Sequence, residues 1–187
     1  MGRSTLPDLL RARLDVVFVG INPSLYSVQQ GHYFARPSNR FWPCLSRSLL
    51  AAPARAALAT ERLEPRHDRA LLALGIGFTD VVKRATAQAS ELTGAELAAG
   101  SRRLFVKLER YGPRIACFHG VTGYRLLHRT LVSGEEQIRL GPQRARIGST
   151  HLYVVPNPSG ANAHFSRDEQ TAWYDRLARY LRKLLAA

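Results

Sequence analysis

The sequence predicts an α/β fold built on a mainly parallel sheet, and three observations carry that expectation. Four successive apolar residues, Val16 to Val19, read as a strand buried on both faces, which is typical of parallel sheets. A second apolar strand, Leu152 to Val155, lies far downstream. Between them, segments with helical spacing and capping signals alternate with short strand-like runs, the order of a layered α/β domain. No internal repeat and no dividing linker interrupts residues 1–187, so one domain is expected.

Each element has a local reason. The first strand breaks into Gly20-Ile21-Asn22-Pro23-Ser24, followed by a polar, aromatic-bearing loop. Pro37 and Ser38 then precede an expected helix over residues 39–50, with Pro43 suited to a restart at its first turn. The Ala/Arg-rich residues 51–75 are expected to be helical, broken near Pro53 and Pro65. GIGFTDVVKR places a lone carboxylate, Asp80, after a Gly-rich turn and next to apolar residues. Thr93 and Glu96 have capping-box spacing ahead of Leu97, Leu104 and Leu108, which predicts a helix to about Tyr111. Residues 114–119 form a short strand, 121–131 a helix, and 144–147 with 152–155 a pair of strands. Ser166 and Glu169 make a second capping box for a last helix carrying Trp173, Leu177, Leu181 and Leu184 at helical spacing. Trp173 on that stripe is expected in the core.

Composition narrows the partners. The chain carries 27 Lys+Arg against 14 Asp+Glu, a formal charge of +13, and 24 of the 27 cations are Arg. A field of that sign attracts polyphosphate, although scattered Arg also forms ordinary solvated surface. Arg102, Arg103, Lys107 and Arg110 share one helix without forming a stripe, so none is assigned a phosphate. Cys44 and Cys117 sit in apolar runs where a thiol behaves as a small hydrophobe, and two cysteines cannot supply the four thiolates of an iron–sulfur cluster. No apolar run approaches the roughly 20 residues of a membrane span, and the start lacks the apolar core of a signal peptide. A cytoplasmic protein is expected.

The two Asn-Pro-Ser turns hold the chemistry. Pro23 restricts Asn22 towards an extended or turn geometry. Asn22 then either caps its own backbone in an Asx turn or presents its amide to a ligand. Leu152 to Val155 stops in the same way at Pro156-Asn157-Pro158-Ser159-Gly160. If the two strands are neighbours, Asn22 and Asn157 face each other beyond the strand ends, where open α/β sheets bind ligands.

GINPS, then GHYFARPSNRFW, and later IGSTHLYVVPNPSG resemble the mismatch-specific uracil and thymine DNA glycosylases, a branch of the uracil-DNA glycosylase superfamily. The likeness runs from about Asp15 to Gly160. It implies a three-layer α/β/α sandwich with a short central sheet and a monofunctional hydrolase of the bond between uracil, or thymine, and deoxyribose. It implies no cofactor and no metal. The partner is double-stranded DNA holding mismatched or damaged bases, met by a monomer. By resemblance Asn22 positions the hydrolytic water, Phe34 stacks on the extruded base, and Ile21, Ser27 and Asn157 surround that base. Ser27 stands where a bulkier side chain would meet a thymine methyl. Ser159, the Gly160 amide and residues Ala161, Asn162 and Ala163 approach the DNA. There the chain departs from the family, because alanine is a poor plug for the hole left by a flipped base.

Asp80 is added on physical grounds. Glycosidic cleavage passes through an oxocarbenium-like sugar and an anionic base, so a buried carboxylate could accept a proton or balance the cation. Its alternatives are a helix cap or a pairing with Arg84. An inactive DNA-binding module of the same fold is the rival function. A nucleotide hydrolase would need a GxxxxGK phosphate loop, which the sequence lacks.

Overall fold

The computed structural model describes residues 4–131, 137–160 and 164–186. Five strands, β1 (Val16–Gly20), β2 (Ile76–Asp80), β3 (Ile115–His119), β4 (Gly141–Ile147) and β5 (Thr150–Val155), form one sheet in the order β2-β1-β3-β5-β4. The first four strands in that order run parallel, and β4 returns antiparallel along β5 at the edge. All residues of β1, β2 and β3 are buried, as expected for strands covered on both faces.

Side-chain alternation sorts the sheet into two cores. Val16 and Phe18 of β1, Phe78 of β2, Cys117 of β3 and Tyr153 and Val155 of β5 point to one side, where α2 (Phe41–Arg47), α3 (Ala52–Ala57) and α7 (Arg167–Leu185) cover them. Val17 and Val19, Ala116 and Phe118, and Leu152 and Val154 point to the other side, under α5 (Gly94–Tyr111) and α6 (Val121–Leu131). Sheet and helices therefore make the three-layer α/β/α sandwich. Phe18 lies at the centre of the first core, its ring edge-on to Phe41 at 5.0 Å and to Tyr174 at 5.9 Å. Emptying that position with Ala would cost about 3–5 kcal/mol. Cys44 and Cys117 are buried there with free thiols.

Both expected capping boxes form. Thr93 Oγ1 accepts from Glu96 N at 3.2 Å while Glu96 accepts from Thr93 N at 2.9 Å, and Ser166 and Glu169 exchange the same pair at 3.1 and 2.7 Å. Trp173 packs, partly buried, against the first core, with the Arg176 guanidinium 4.4 Å over its ring. Among the described residues no helix is long and apolar enough to cross a membrane.

Four features differ from the sequence expectation. Residues 76–80 form strand β2 rather than a turn, because all five pair in parallel with β1, and Leu9 of the N-terminal segment exchanges backbone bonds with Phe78 on the other edge, both at 2.9 Å. That approach is so close that a Cβ on Gly77 would lie 2.5 Å from the Leu9 carbonyl, so the glycine that reads as a turn signal is a packing requirement. Residues 25–30 form a short helix, α1 (Leu25–Gln30), started by Ser24, whose Oγ accepts from Ser27 N at 3.1 Å. The expected helices over 39–50 and 51–75 divide into α2, α3 and α4 (Asp68–Ala73), with Pro43 in the first turn of α2, Pro53 in that of α3 and Pro65 opening the short turn before α4. Finally, β1 and β5 are not neighbours. Strand β3 lies between them.

Candidate active site

The carboxyl ends of β1, β2, β3 and β5 surround a cavity of about 190 Å³, lined among others by Gly20, Asn22, Phe34, Asp80, His119 and Asn157. Such a volume falls below the roughly 300–1,000 Å³ of sites for drug-sized ligands and suits a single heterocyclic ring. The two Asn-Pro-Ser turns thus meet at one site even though their strands are separated by β3.

Asn22 is fixed by what its amide nitrogen donates to. Nδ2 reaches Thr86 Oγ1 at 2.7 Å and the Arg84 carbonyl at 3.0 Å. Thr86 donates its own hydroxyl proton to the Gln88 carbonyl at 2.8 Å, so only a lone pair is left for Asn22. A carbonyl and an occupied hydroxyl both demand a donor, and that sets which end of the amide is nitrogen. The described residues offer Asn22 Oδ1 no donor, and it stands as an acceptor at the cavity. The Asx turn proposed as the alternative for Asn22 occurs instead at Asn157, whose Oδ1 accepts from Ser159 N at 2.9 Å.

Asp80 ends β2 directly beside Gly20, its register partner at the end of β1. It is buried, and that burial, countered in part by Lys83 and reinforced by Asp8, pushes its carboxyl up to about 6. Lys83 Nζ stands 3.5 Å from Oδ2, within attraction but outside hydrogen-bond geometry, and Oδ2 has no hydrogen-bond partner. The pairing with Arg84 does not form, because Arg84 forks onto Glu96 at 2.5 and 3.0 Å. Nor does Asp80 cap a helix.

Phe34 holds a left-handed backbone, φ +53°, uncommon for a bulky residue. Its ring is braced by Phe41 at 4.5 Å and His119 at 5.0 Å, and the rest of it borders the cavity. Ser27 is buried and also lines the cavity, its Oγ accepting from Ala35 N at 3.2 Å and from Ser24 Oγ at 3.0 Å. Ile21 also lines the cavity and ties its loop down through its carbonyl, which accepts from Val82 N at 2.9 Å.

The family model for the uracil DNA glycosylase superfamily matches residues 7–182, nearly the whole chain and all of this site. The chain belongs to the uracil DNA glycosylase superfamily. Its fold is also that of a candidate uracil DNA glycosylase from Methanosarcina acetivorans, solved by solution NMR. That structure is 21% identical, with a TM-score of 0.57, and the match covers 95% of this chain and 97% of the other.

Three residues at this cavity were not singled out from sequence. Thr86 had a signal, a β-branched hydroxyl two residues beyond Arg84, but no local pattern ties it to Asn22, 64 positions away. His119 closes β3 with Nε2 3.1 Å from the Tyr174 hydroxyl, and burial pulls its pKa down to about 3, so the imidazole is neutral. Arg36 stands exposed at the cavity mouth beside Asn39 and Ser159. The second turn is tied to the loop that follows Phe34, with Arg40 N donating to the Pro158 carbonyl at 2.8 Å and Gly160 pressed against Ser38. Ala161, Asn162 and Ala163 lie outside the described residues.

Proposed function

We propose that this protein is a monofunctional DNA glycosylase that hydrolyses the N-glycosidic bond of uracil in double-stranded DNA. Mismatched pairs are its preferred setting, with thymine and modified pyrimidines as further substrates, a reading supported by the resemblance of its motifs to those of the mismatch-specific branch. The observation that bears most weight is the oriented amide of Asn22, whose donor end is spent on Thr86 and Arg84 while its acceptor end stands at a base-sized cavity.

Each group has a role in this reading. The base leaves the duplex, enters the cavity and rests on Phe34, an aromatic platform that offsets lost stacking. Asn22 Oδ1 accepts from a water and holds it against the sugar. The bond between C1′ and the base nitrogen breaks with its electron pair going to the base, and the water oxygen bonds to C1′. Asp80, as carboxylate, faces the positive sugar and takes the water's proton. The products are a free base and an abasic site. The +13 charge, with Arg36 at the mouth, supports DNA as the partner.

Strand cleavage by alkali after incubation with oligonucleotides carrying U, T or hypoxanthine opposite each base tests the reading. Excision of uracil, fastest in mismatches and abolished by Asn22→Ala, is expected. Binding of these duplexes without excision of any base would overturn it in favour of a non-catalytic DNA-binding module.

A further inference from the structure

Against Asp80 lies a half-buried cluster of charge that borders the cavity through Tyr33. Lys83 Nζ donates to Asp8 Oδ1 at 2.8 Å and to the Tyr33 hydroxyl at 3.1 Å, and stands 3.5 Å from Asp80 Oδ2. Asp8 is shared: Thr79 donates to its Oδ1 at 2.8 Å, and Lys107, from α5, meets its Oδ2 at 2.5 Å. Tyr33 donates onward to the Pro7 carbonyl at 3.1 Å. Three separate parts of the chain, the N-terminal segment, the end of β2 and α5, converge on one carboxylate. None of Lys83, Asp8 and Lys107 lines the cavity.

We propose that Lys83 is a positioning residue that holds the Asp80 carboxylate in place and in its charged form, and that Asp8 and Lys107 set how much of the Lys83 charge Asp80 receives. The charge count carries the argument. With Asp80 ionised, two lysines face two aspartates and the cluster is neutral; with Asp80 protonated it holds one uncompensated cation in a half-buried place. Because Asp8 is satisfied by Lys107 as well, Lys83 is left with attraction to spare for Asp80 at 3.5 Å. The other groups around Asp80 do not supply a charge: Tyr33 stays a neutral phenol, pushed up first by burial, and His119 is a neutral imidazole.

The inference rests on the catalytic reading of Asp80, and its test separates the two. The acidic limb of the single-turnover excision rate is measured for the wild type, Asp80→Asn, Lys83→Met, Lys83→Arg and Asp8→Asn, each checked for folding by circular dichroism. Removing Lys83 leaves Asp80 without its cation, so the limb should move to higher pH by about one pH unit or more. Asp8→Asn frees Lys83 and Lys107 to face Asp80 alone, so the limb should move to lower pH. Lys83→Arg should restore the wild-type midpoint. A merely structural cluster would not give shifts of opposite sign. For any variant too unstable for kinetics, ¹³C NMR titration of the Asp80 carboxyl in the folded fraction reads the same midpoint. Loss of the limb in Asp80→Asn with unmoved midpoints in Lys83→Met and Asp8→Asn overturns the positioning role alone. A limb that persists in Asp80→Asn overturns both.

Discussion

A Cβ placed on Gly20 would lie 2.5 Å from Asp80 Oδ1, closer than non-bonded atoms approach. Gly20 therefore does more than end β1. It vacates the position that the neighbouring strand's carboxylate occupies, and Phe34 Cε1, 3.8 Å from the same point, closes the space from the cavity side. Gly20→Ala should force the carboxylate to turn away, and displacement of a reacting group by about 1 Å can cost roughly a hundredfold in rate. Single-turnover excision should fall by that order while DNA affinity, measured by fluorescence anisotropy, is unchanged. Unchanged excision would mean that the Oδ1 position is irrelevant to the chemistry.

The amide of Asn22 gives a graded pair of outcomes. Asn22→Ala removes the water's acceptor and should lower the single-turnover rate about a hundredfold, with binding nearly intact, the mark of a group used in the transition state. Thr86→Val keeps shape and removes the acceptor that Nδ2 needs, leaving the Arg84 carbonyl as the main anchor. That substitution should cost about tenfold, because one lost hydrogen bond of roughly 0.5–1.5 kcal/mol frees the amide to turn. Equal losses in rate and affinity for either variant would assign Asn22 to binding rather than water placement.

Much of this site was legible because its parts are local. A buried apolar run followed by Gly-Ile-Asn-Pro-Ser announces a strand and a stiff turn, and both capping boxes formed where serine or threonine preceded glutamate by three residues. Strand β2 was illegible for a tertiary reason. Its Gly77 exists to admit the Leu9 backbone, and nothing within residues 76–80 records that neighbour. The same limit hid Thr86 from Asn22, and Lys107 and Asp8 from Asp80. Two Asn-Pro-Ser turns could be paired from sequence, but not the strand that separates them.

Phe34 combines an aromatic role with a backbone that alanine does not relieve. At φ +53° a non-glycine residue carries strain of about 1–2 kcal/mol, held in place by Phe41, Phe78 and His119 around the ring. Phe34→Ala and Phe34→Gly both remove the stacking platform, so both should weaken excision by an equivalent of about 1–3 kcal/mol. Only glycine relaxes the backbone, so Phe34→Gly should melt at the higher temperature of the two. A pair that differs in excision but not in melting would contradict this division of roles.

Asp80 couples activity to stability with a definite sign. Burial, the first cause, pushes its carboxyl up to about 6 from the ordinary 3.8. Between those values the folded protein holds a proton that the unfolded chain has lost, so this group's contribution to stability is complete below about pH 4 and is lost as pH rises to about 6. Asp80→Asn removes a buried charge and keeps the shape. It should therefore be more stable than wild type at pH 8, by about 1–3 kcal/mol, and show no such gain at pH 4. The same variant should lose excision at pH 8, where the wild-type carboxylate is ionised, and should lose the acidic limb near pH 6. A purely structural aspartate predicts the reverse on both axes: lower stability at pH 8 and a retained rate. Chemical denaturation and single-turnover excision at these two pH values distinguish them, since a site that gives up stability to keep a buried carboxylate should become more stable and less active when that carboxylate is neutralised.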